Sequence, residues 1–598
     1  MTQRSNSPDL ENGDNADSHR DRGRHVQLAL NNSADREANV REKEEHERGR
    51  SHPSVSPKKE SDIEVVDWDG PDDPENPFNW SKTKKWVITI TTCFISILTG
   101  LPAGAYGGGN DQMAQRFHVS TDPFPHLFWA TTSWNVGAAL FPLLFVPLTE
   151  QVGRMPGYFG SYILFLVWMI PSGVARNFAT LIVTRFFDGG CSSVSINIVG
   201  GTITDIWKGD KDRSIPMSIF GFTSVVGIAL GPFIGSAIAA NMNWRWIYYI
   251  QLAFDGGCLP IFYFILSETR HDVLLARRAQ KLRKNGRPNA YAKSEIDKPS
   301  VWQSLRISFT RPVKMLVSEW VVFSFTLWVS FAWGLLFLFQ SSIVQTFSTN
   351  YNFGTMSTGL IQLALSVGAV IGTVINPIQD QLYLRSAKRN KERPGKPIPE
   401  ARLYFSVPGS LLFTVGLFWY GWASYPHVHW IVPTIGITVV GLGIYSIYLA
   451  VVNYLADAYE KYAASALSAA SLGRNTFGAF LPLASQSMYT NLGFHWASSL
   501  LGFVALVLSV APVLILVWGE EIRRRSPFMR EATFDPQEEE ERSRSMAGYE
   551  HARSESRAAR SRSRSRSVSR NPSSGFLGGF RLNHEHGHGH EQQVDGAR

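Results

Sequence analysis

Hydrophobic residues along this chain of 598 residues cluster in long runs, and polar segments separate the runs. An α-helix needs about 20 apolar residues to cross the hydrocarbon core of a bilayer. The pattern predicts six spans before a long polar stretch and six after it, which is typical of transporters built from two related halves. The predicted spans cover residues 86–106, 126–147, 157–176, 179–201, 216–239, 246–267, 318–339, 357–378, 403–424, 429–451, 464–487 and 497–518. The predicted fold class is therefore an all-α integral membrane protein with twelve transmembrane helices in two pseudo-symmetric six-helix halves.

The polar segments divide the chain into six predicted regions. The N-terminal residues are rich in charge and poor in aromatic side chains, a composition typical of disorder. The segment just before the first span differs, because Trp68, Trp80 and several turn residues predict an ordered cap. The predicted regions are a disordered cytosolic tail (1–66), a cytosolic cap (67–85), an N-terminal six-helix half (86–267), a cytosolic central loop (268–317), a C-terminal six-helix half (318–518) and a disordered cytosolic tail (519–598).

The distribution of charge predicts the orientation in the membrane. Only 16 of the 182 residues at 86–267 are charged, about half of the 18% found for the whole chain. With the N-terminus inside, the predicted inner loops hold 24 Lys and Arg residues and the outer loops hold 3. Because basic loops stay on the cytosolic side, we expect both termini in the cytosol and a multi-pass protein of the plasma membrane. The net charge of +8 then reflects inner loops that face anionic lipid, not nucleic acid.

A short internal repeat supports the division into two halves. Residues 147–152 follow the second span and residues 377–382 follow the eighth span. Both share the order Pro, aliphatic, polar, acid, Gln, aliphatic, which places Glu150 and Asp380 at matching positions. The position of the match, at the same place in each half, makes it stronger than its length alone.

The fifth predicted span carries regularly spaced glycines. Gly227, Gly231 and Gly235 recur every four residues on one helix face, where they let another helix approach closely. Pro232 frees a backbone carbonyl and bends the helix. Ordinary helix packing is an alternative reading of these residues.

Three ionisable residues lie within predicted spans. A charge at the centre of a bilayer costs about 3 kcal/mol or more, so such residues usually face a cavity and have a role. Arg185 and Asp188 lie three residues apart on the fourth span and can pair, while Asp255 lies in the middle of the sixth. A carboxylate in a low-dielectric site can take up and release a proton in the working pH range. We therefore expect proton coupling at these residues. The alternative is a static Arg–Asp pair that holds helices together.

Together these segments resemble the major facilitator superfamily, and within it the fungal twelve-span drug:proton antiporters that include polyamine exporters. Residues 147–156 resemble its loop motif, residues 184–190 its fourth-span motif and residues 227–235 its antiporter motif. The resemblance covers about residues 67–527. It implies the major facilitator fold and a role for Arg185 in proton coupling. Three residues depart from the usual motifs, namely Val146, Met155 and Asp188.

The loop motif and its repeat supply a candidate gate. Gly153 suits a tight turn, and Glu150 and Arg154 beside it can pair with neighbouring helix ends. With Asp380 from the second half, these residues are expected to lock the cytosolic gate. The alternative for this loop is an ordinary basic inner loop.

The substrate cavity is expected at the middle of the membrane, between the halves. Aromatic side chains with a few amides suit amphipathic or cationic organic molecules. The candidate wall residues are Trp333, Phe337, Gln340, Tyr445, Tyr448, Asn453, Arg474 and Asn475.

The sequence thus predicts a proton-coupled antiporter that exports drugs, polyamines or secondary metabolites. It contains no nucleotide-binding loop and no catalytic constellation, so we expect no enzyme activity, no cofactor and no metal. The expected partners are a small-molecule substrate, protons and the lipid bilayer, with no nucleic acid, and the protein is expected to be monomeric. One alternative is a proton-coupled importer or facilitator of an organic acid or nutrient. Another is a non-transporting membrane receptor, which has less need of charges inside the membrane and paired halves.

Overall fold

The computed structural model describes residues 63–120, 126–296, 300–390, 393 and 395–533, which form two compact units. One unit comprises the described residues up to Trp68 together with Leu275–Lys298, and the other holds the remaining residues. The α-helices are α1 (Lys82–Ala105), α2 (Asn110–Phe117), α3 (Phe128–Val152), α4 (Arg154–Gly173), α5 (Phe178–Ile206), α6 (Asp210–Asn241), α7 (Arg245–Ile265), α8 (His271–Lys284), α9 (Lys293–Ile296), α10 (Val301–Ser318), α11 (Trp320–Tyr351), α12 (Thr355–Ser386), α13 (Ser406–Ala423), α14 (Ile431–Tyr459), α15 (Ala463–Phe480), α16 (Ser485–Leu492), α17 (Phe494–Leu508), α18 (Val510–Arg525) and α19 (Pro527–Thr533). Short 3₁₀ helices occur at Pro77–Asn79, Tyr106–Gly109, Pro399–Leu403, Glu460–Tyr462 and Leu481–Ala484.

The smaller unit contains a two-stranded parallel sheet. Strand β1 (Glu64–Val66) pairs with β2 (Ala290–Ala292), with Glu64 opposite Ala290. Val66 is buried with Ala279 of α8 against this sheet. The boundary predicted for a disordered tail at residue 66 therefore falls inside an ordered strand, while residues 1–62 lie outside the described part of the chain.

Each of the twelve predicted spans falls on helical structure of the larger unit. Among the described residues, eight helical segments are long and apolar enough to cross a membrane. One of these segments, Ile431–Leu492, contains both the tenth and the eleventh predicted span. The helices α4, α5 and α7 carry the third, fourth and sixth predicted spans and are not among the eight. The count of twelve spans stays a prediction.

The ordered structure also continues past the predicted C-terminal boundary. Helix α18 runs to Arg525 and α19 covers Pro527–Thr533, so residues 519–525 and 527–533 are helical where disorder was expected. Residues 534–598, which include the rest of that predicted tail, lie outside the described residues.

Helices α1 and α6 meet backbone to backbone, and the glycines predicted from the sequence lie at this contact. A Cβ atom added at Gly231 would lie 2.5 Å from the carbonyl oxygen of Leu101 and 2.6 Å from the nitrogen of Ala105. A Cβ at Gly227 would lie 3.0 Å from backbone atoms of Ile97. The sequence predicted a closely packed helix here without naming it, and that helix is α1.

Several helix termini meet at one end of the bundle, which we call the basic end. It comprises the C-terminal ends of α3, α5, α12 and α14 and the N-terminal ends of α4 and α6. Ion pairs join these termini, for example Arg154 with Asp205 and Arg213 with Asp457. Toward the opposite end the halves are joined directly, because the Thr132 hydroxyl donates to the carbonyl of Ala479 at 2.7 Å.

We expect Gly231→Ala to destabilise the folded protein by about 1–3 kcal/mol, because the added methyl group must separate two packed backbones. Gly257→Ala in α7 is the matched control, since a Cβ there meets no atom within 4 Å. The melting temperatures of both purified variants in detergent test this. A loss at Gly257→Ala equal to that at Gly231→Ala would contradict the account.

Candidate functional site

Two cavities that share lining residues lie between the two halves of the larger unit. The wider one has a volume of about 740 Å³ and reaches the basic end, where its wall includes the exposed side chains of Lys396 and Lys461. The deeper one has a volume of about 30 Å³. Ile196, Tyr448 and Arg474 line both cavities. This places the largest opening of the site at the basic end.

Most of the predicted wall residues line one of these cavities. Trp333, Phe337 and Asn475 line the deeper cavity, and Asn453 lines the wider one. Two predictions differ from the structure. Tyr445 lines a separate small cavity and donates its hydroxyl to the Ser218 carbonyl at 3.4 Å, and Gln340 lines none of these three cavities. The apolar pattern of a buried helix does not reveal which face turns to the cavity, and this explains both differences.

Arg474 of α15 lies between two aromatic rings at the junction of the cavities. Its guanidinium carbon is 4.4 Å from the ring centre of Trp333 and 5.3 Å from that of Tyr448. One Nη atom donates to the hydroxyl of Ser471 at 3.3 Å. Its Nε atom is buried and has no acceptor among the described residues. Arg474 thus presents a positive charge with an unused donor at the cavity wall.

Arg185 of α5 is fully buried and held by rings and carbonyl groups. Its guanidinium donates to the carbonyl oxygens of Pro102 at 3.1 Å and of Ala130 at 3.4 Å. The rings of Tyr106 and Trp134 each lie 4.6 Å from it. These contacts join α5 to α1 and α3 inside the N-terminal half.

The predicted ion pair between Arg185 and Asp188 does not form among the described residues: the Asp188 oxygens have no hydrogen-bond partner, and the Arg185 guanidinium binds carbonyls instead. Helical side chains lean toward the N-terminal end of their helix. The long side chain of Arg185 therefore extends away from Asp188, which follows it by one turn. A static pair, the alternative raised from the sequence, does not describe this structure.

Asp188 and Asp255 are both fully buried carboxylates. None of their four carboxylate oxygens accepts a hydrogen bond from a described residue. Gln251, one turn before Asp255, interacts with that carboxylate, but it donates its amide to the Leu98 carbonyl at 3.1 Å. Keeping both charged in this environment is unfavourable, because neither has a donor to replace lost hydration.

The predicted gate residues of the first half lie in a tight turn at the basic end. Gly153 has φ of +119°, which favours glycine. The carboxylate of Glu268 fills the space beside Gly153 and accepts the backbone N–H groups of Arg154 at 2.9 Å and Met155 at 3.2 Å. An acid at a helix N-terminus stabilises the unpaired N–H groups there, so Glu268 fixes the start of α4. Glu150 lines the wider cavity.

An arginine–aspartate pair occurs at the corresponding place in each half. Arg154 at the start of α4 binds Asp205 at the end of α5, with Nε 3.0 Å from Oδ2. Arg402, just before α13, binds Asp457 near the end of α14, with Nε 2.8 Å from Oδ2. Arg402 also lies 3.5 Å from the predicted gate residue Asp380. The repeat suspected from short sequence motifs thus has a counterpart in matching side-chain contacts.

One ion pair crosses between the halves at the basic end. Arg213 of α6 lies 3.5 Å from Asp457 of α14, so Asp457 contacts arginines from both halves. Sequence reasoning gave no role to Asp205, Glu268, Arg402 or Asp457. The sequence held a signal for these residues, because an acid at the end of a predicted span together with an arginine in a predicted inner loop indicates a possible ion pair.

We expect Asp205→Asn to destabilise the protein by about 3–5 kcal/mol, because it leaves the buried Arg154 guanidinium without its partner. Asp210→Asn is the control: its pair with Arg213 is partly exposed and is worth about 0–1 kcal/mol. Thermal unfolding of the two purified variants measures the difference. Equal melting temperatures for both would contradict a structural role of the buried pair.

Known proteins resemble this chain over most of its length. The sequence profile of the Major Facilitator Superfamily matches residues 92–481. The chain is 34% identical to the MFS transporter cpaT of Aspergillus oryzae over 81% of this chain and 96% of that protein. It is 35% identical to the efflux pump atB of Aspergillus terreus (79% and 92%) and 33% identical to the citrinin biosynthesis cluster MFS transporter mrr1 of Monascus ruber (81% and 96%). With the helical fold and the cavity between its halves, these matches show that the chain belongs to the Major Facilitator Superfamily of membrane transporters.

Proposed function

We propose that this protein exports small amphipathic organic molecules, such as secondary metabolites, across the plasma membrane in exchange for protons. It does so as a monomer with both termini in the cytosol. The observation that carries the proton coupling is the pair of buried carboxylates, Asp188 and Asp255, whose oxygens have no donor among the described residues. Export is supported by the relative atB, which is named an efflux pump.

The proton is carried by the carboxylate group of Asp188. A proton neutralises this buried carboxylate, which has no donor among the described residues. The guanidinium of Arg185 stays bound to the carbonyl groups of Pro102 and Ala130. A change in the packing of α5 against α1 and α3 moves the carbonyl groups of Pro102 and Ala130 relative to Asp188. Such a change couples release of the proton to the state of the transporter.

The substrate enters through the wider cavity from the cytosol. The basic end faces the cytosol in this proposal, since basic loops remain on that side. The ion pair between Arg213 and Asp457, which joins the two halves, is the contact that rearranges as the halves rock about the site. The sequence predicted amphipathic or cationic substrates. The aromatic walls formed by Trp333, Phe337 and Tyr448 fit the amphipathic class.

Import by the same fold is the alternative for direction. It is distinguished by collapsing the proton gradient with a protonophore in intact cells. If the protein exports, cells retain more of the compounds that it carries; if it imports, they contain less of them.

We expect Asp188→Asn to abolish uphill export, since an amide cannot exchange a proton, while downhill movement of the substrate remains. The assay uses inside-out vesicles, an imposed pH gradient and an extract of cells that lack the gene as the source of substrates. Uptake by the variant is expected to be the same with and without the gradient.

Asp111→Asn is the matched control, because Asp111 is an exposed acid in the short helix α2. It is expected to keep the response to the gradient. A full response in Asp188→Asn at equal protein levels would remove Asp188 from the coupling mechanism.

A further inference from the structure

We propose that the transported molecules are organic anions and that Arg474 binds their acidic group. This inference rests on the proposed function, and it names the substrate class of the same site. The acidic group takes the donor of Arg474 that has no partner, and the apolar part of the molecule packs on the aromatic walls of the deeper cavity.

Arg474 differs from the other arginines of the cavity wall in lacking a carboxylate. Its contacts are the rings of Trp333 and Tyr448 and the hydroxyl of Ser471. Its Nε atom is buried without an acceptor among the described residues. A buried donor on a charged group is expensive to leave unpaired. An arginine fork fits a planar carboxylate with two parallel hydrogen bonds, so a bound anion satisfies this donor.

The acids of the wider cavity do not supply the missing partner. Asp210 and Asp457 pair with Arg213, and Glu460 pairs with Arg393 at 2.7 Å. Glu150, the fourth acid of this wall, interacts electrostatically with Arg154. These contacts lie at the basic end. The described wall of the deeper cavity contains Arg474 and no acid. The net charge at the inner part of the site is therefore positive.

The aromatic rings at this point already have a cation. An organic cation binds in a cavity through carboxylates or through the faces of aromatic rings. Here the guanidinium of Arg474 lies over Trp333 and Tyr448. A cationic substrate would have to displace a tethered charge or lie beside it. The site thus disfavours the cationic class, polyamines included, that the sequence left open.

The amides of the deeper cavity and its serine hydroxyls are committed elsewhere. Asn475 donates to the Ala138 carbonyl at 2.9 Å, and Ser193 donates to the same carbonyl at 2.9 Å. Asn135 donates to Thr131 within its own helix at 3.0 Å. Because these donors are used by the backbone, the guanidinium is the group best placed to recognise a negative charge.

An anionic substrate also fits the energetics of export. Movement of an anion outward and of a proton inward transfers charge in the same electrical sense. The inside-negative potential of a plasma membrane favours both movements. The exchange balances as one anion out for one proton in, with no other reactant.

The test uses cells from which the native gene has been deleted. One line receives no gene, a second receives the wild-type gene, and further lines receive the variants, of which Arg474→Gln is the first. Compounds released only with the wild-type gene are collected, and their electrophoretic mobility at neutral pH gives the sign of their charge. We expect anions. Arg474→Gln is expected to lower their export by about tenfold to a hundredfold, the effect of losing a hydrogen-bonded charge. Export by the Arg474→Lys variant, which keeps the charge but not the planar fork, is expected to lie between the levels of the wild type and of Arg474→Gln.

Arg306→Gln is the control for loss of a positive charge, because Arg306 is exposed on α10 and lines neither cavity. Exported compounds that are cationic or neutral would overturn the anion proposal and leave export intact. Wild-type export of anions by Arg474→Gln would overturn the role of Arg474. If no compound depends on the gene, the proposed export itself is wrong. The charge of the compounds that the wild-type protein exports decides the substrate class, even where a variant fails to reach the membrane.

Discussion

The central physical constraint on this structure is the neutralisation of charges inside the helical bundle. Hydrocarbon offers no water, so a charged group in the bundle needs carbonyls, rings, an opposite charge or a ligand. Arg185 has carbonyl oxygens and two aromatic rings around it. Asp188 and Asp255 have no donors among the described residues. Arg474 has rings but an unused donor. In the proposed function the unpaired carboxylates take up a proton and Arg474 binds an anion, whereas Arg185, whose Nη2 also has no acceptor among the described residues, stays bound to carbonyl groups.

The positions of these groups divide the work between the halves. The buried acids lie in α5 and α7 of the first half, and the arginine of the cavity wall lies in α15 of the second. The close backbone contact of α1 with α6 makes the first half a tightly packed body around the acids. At the basic end, each half contains a matching arginine–aspartate ion pair, with Asp205 in the first half and Asp457 in the second. In the proposed mechanism the proton and the substrate therefore bind at separate places.

Much of this arrangement could be predicted from the sequence. Apolar runs located the helices, because spanning a bilayer requires a fixed length of apolar chain. The spacing of Gly227, Gly231 and Gly235 indicated a close helix contact. Individual side-chain partners were harder to predict. Arg185 and Asp188 are correctly spaced to pair, but the partners of Arg185 come from α1 and α3, which are distant in sequence.

The missed residues share a physical cause. Glu268 caps a helix that begins 114 residues before it, and Arg402 binds an acid 55 residues after it. Neither contact leaves a periodic pattern in the chain. The ordered residues 64–66 and 519–533 lie in polar sequence whose composition resembles a disordered tail, although tertiary contacts order it. Composition describes the average behaviour of such segments, and pairing with distant residues decides their structure.

Exchange of an organic molecule for a proton can be measured with purified protein in liposomes that enclose a pH indicator. An extract of cells lacking the gene is added outside, and the compounds that enter are measured together with the pH of the lumen. The account predicts that the lumen becomes alkaline as the compounds enter, and that protein-free liposomes show neither change. Entry of the compounds with no change in luminal pH, or with acidification, would contradict it.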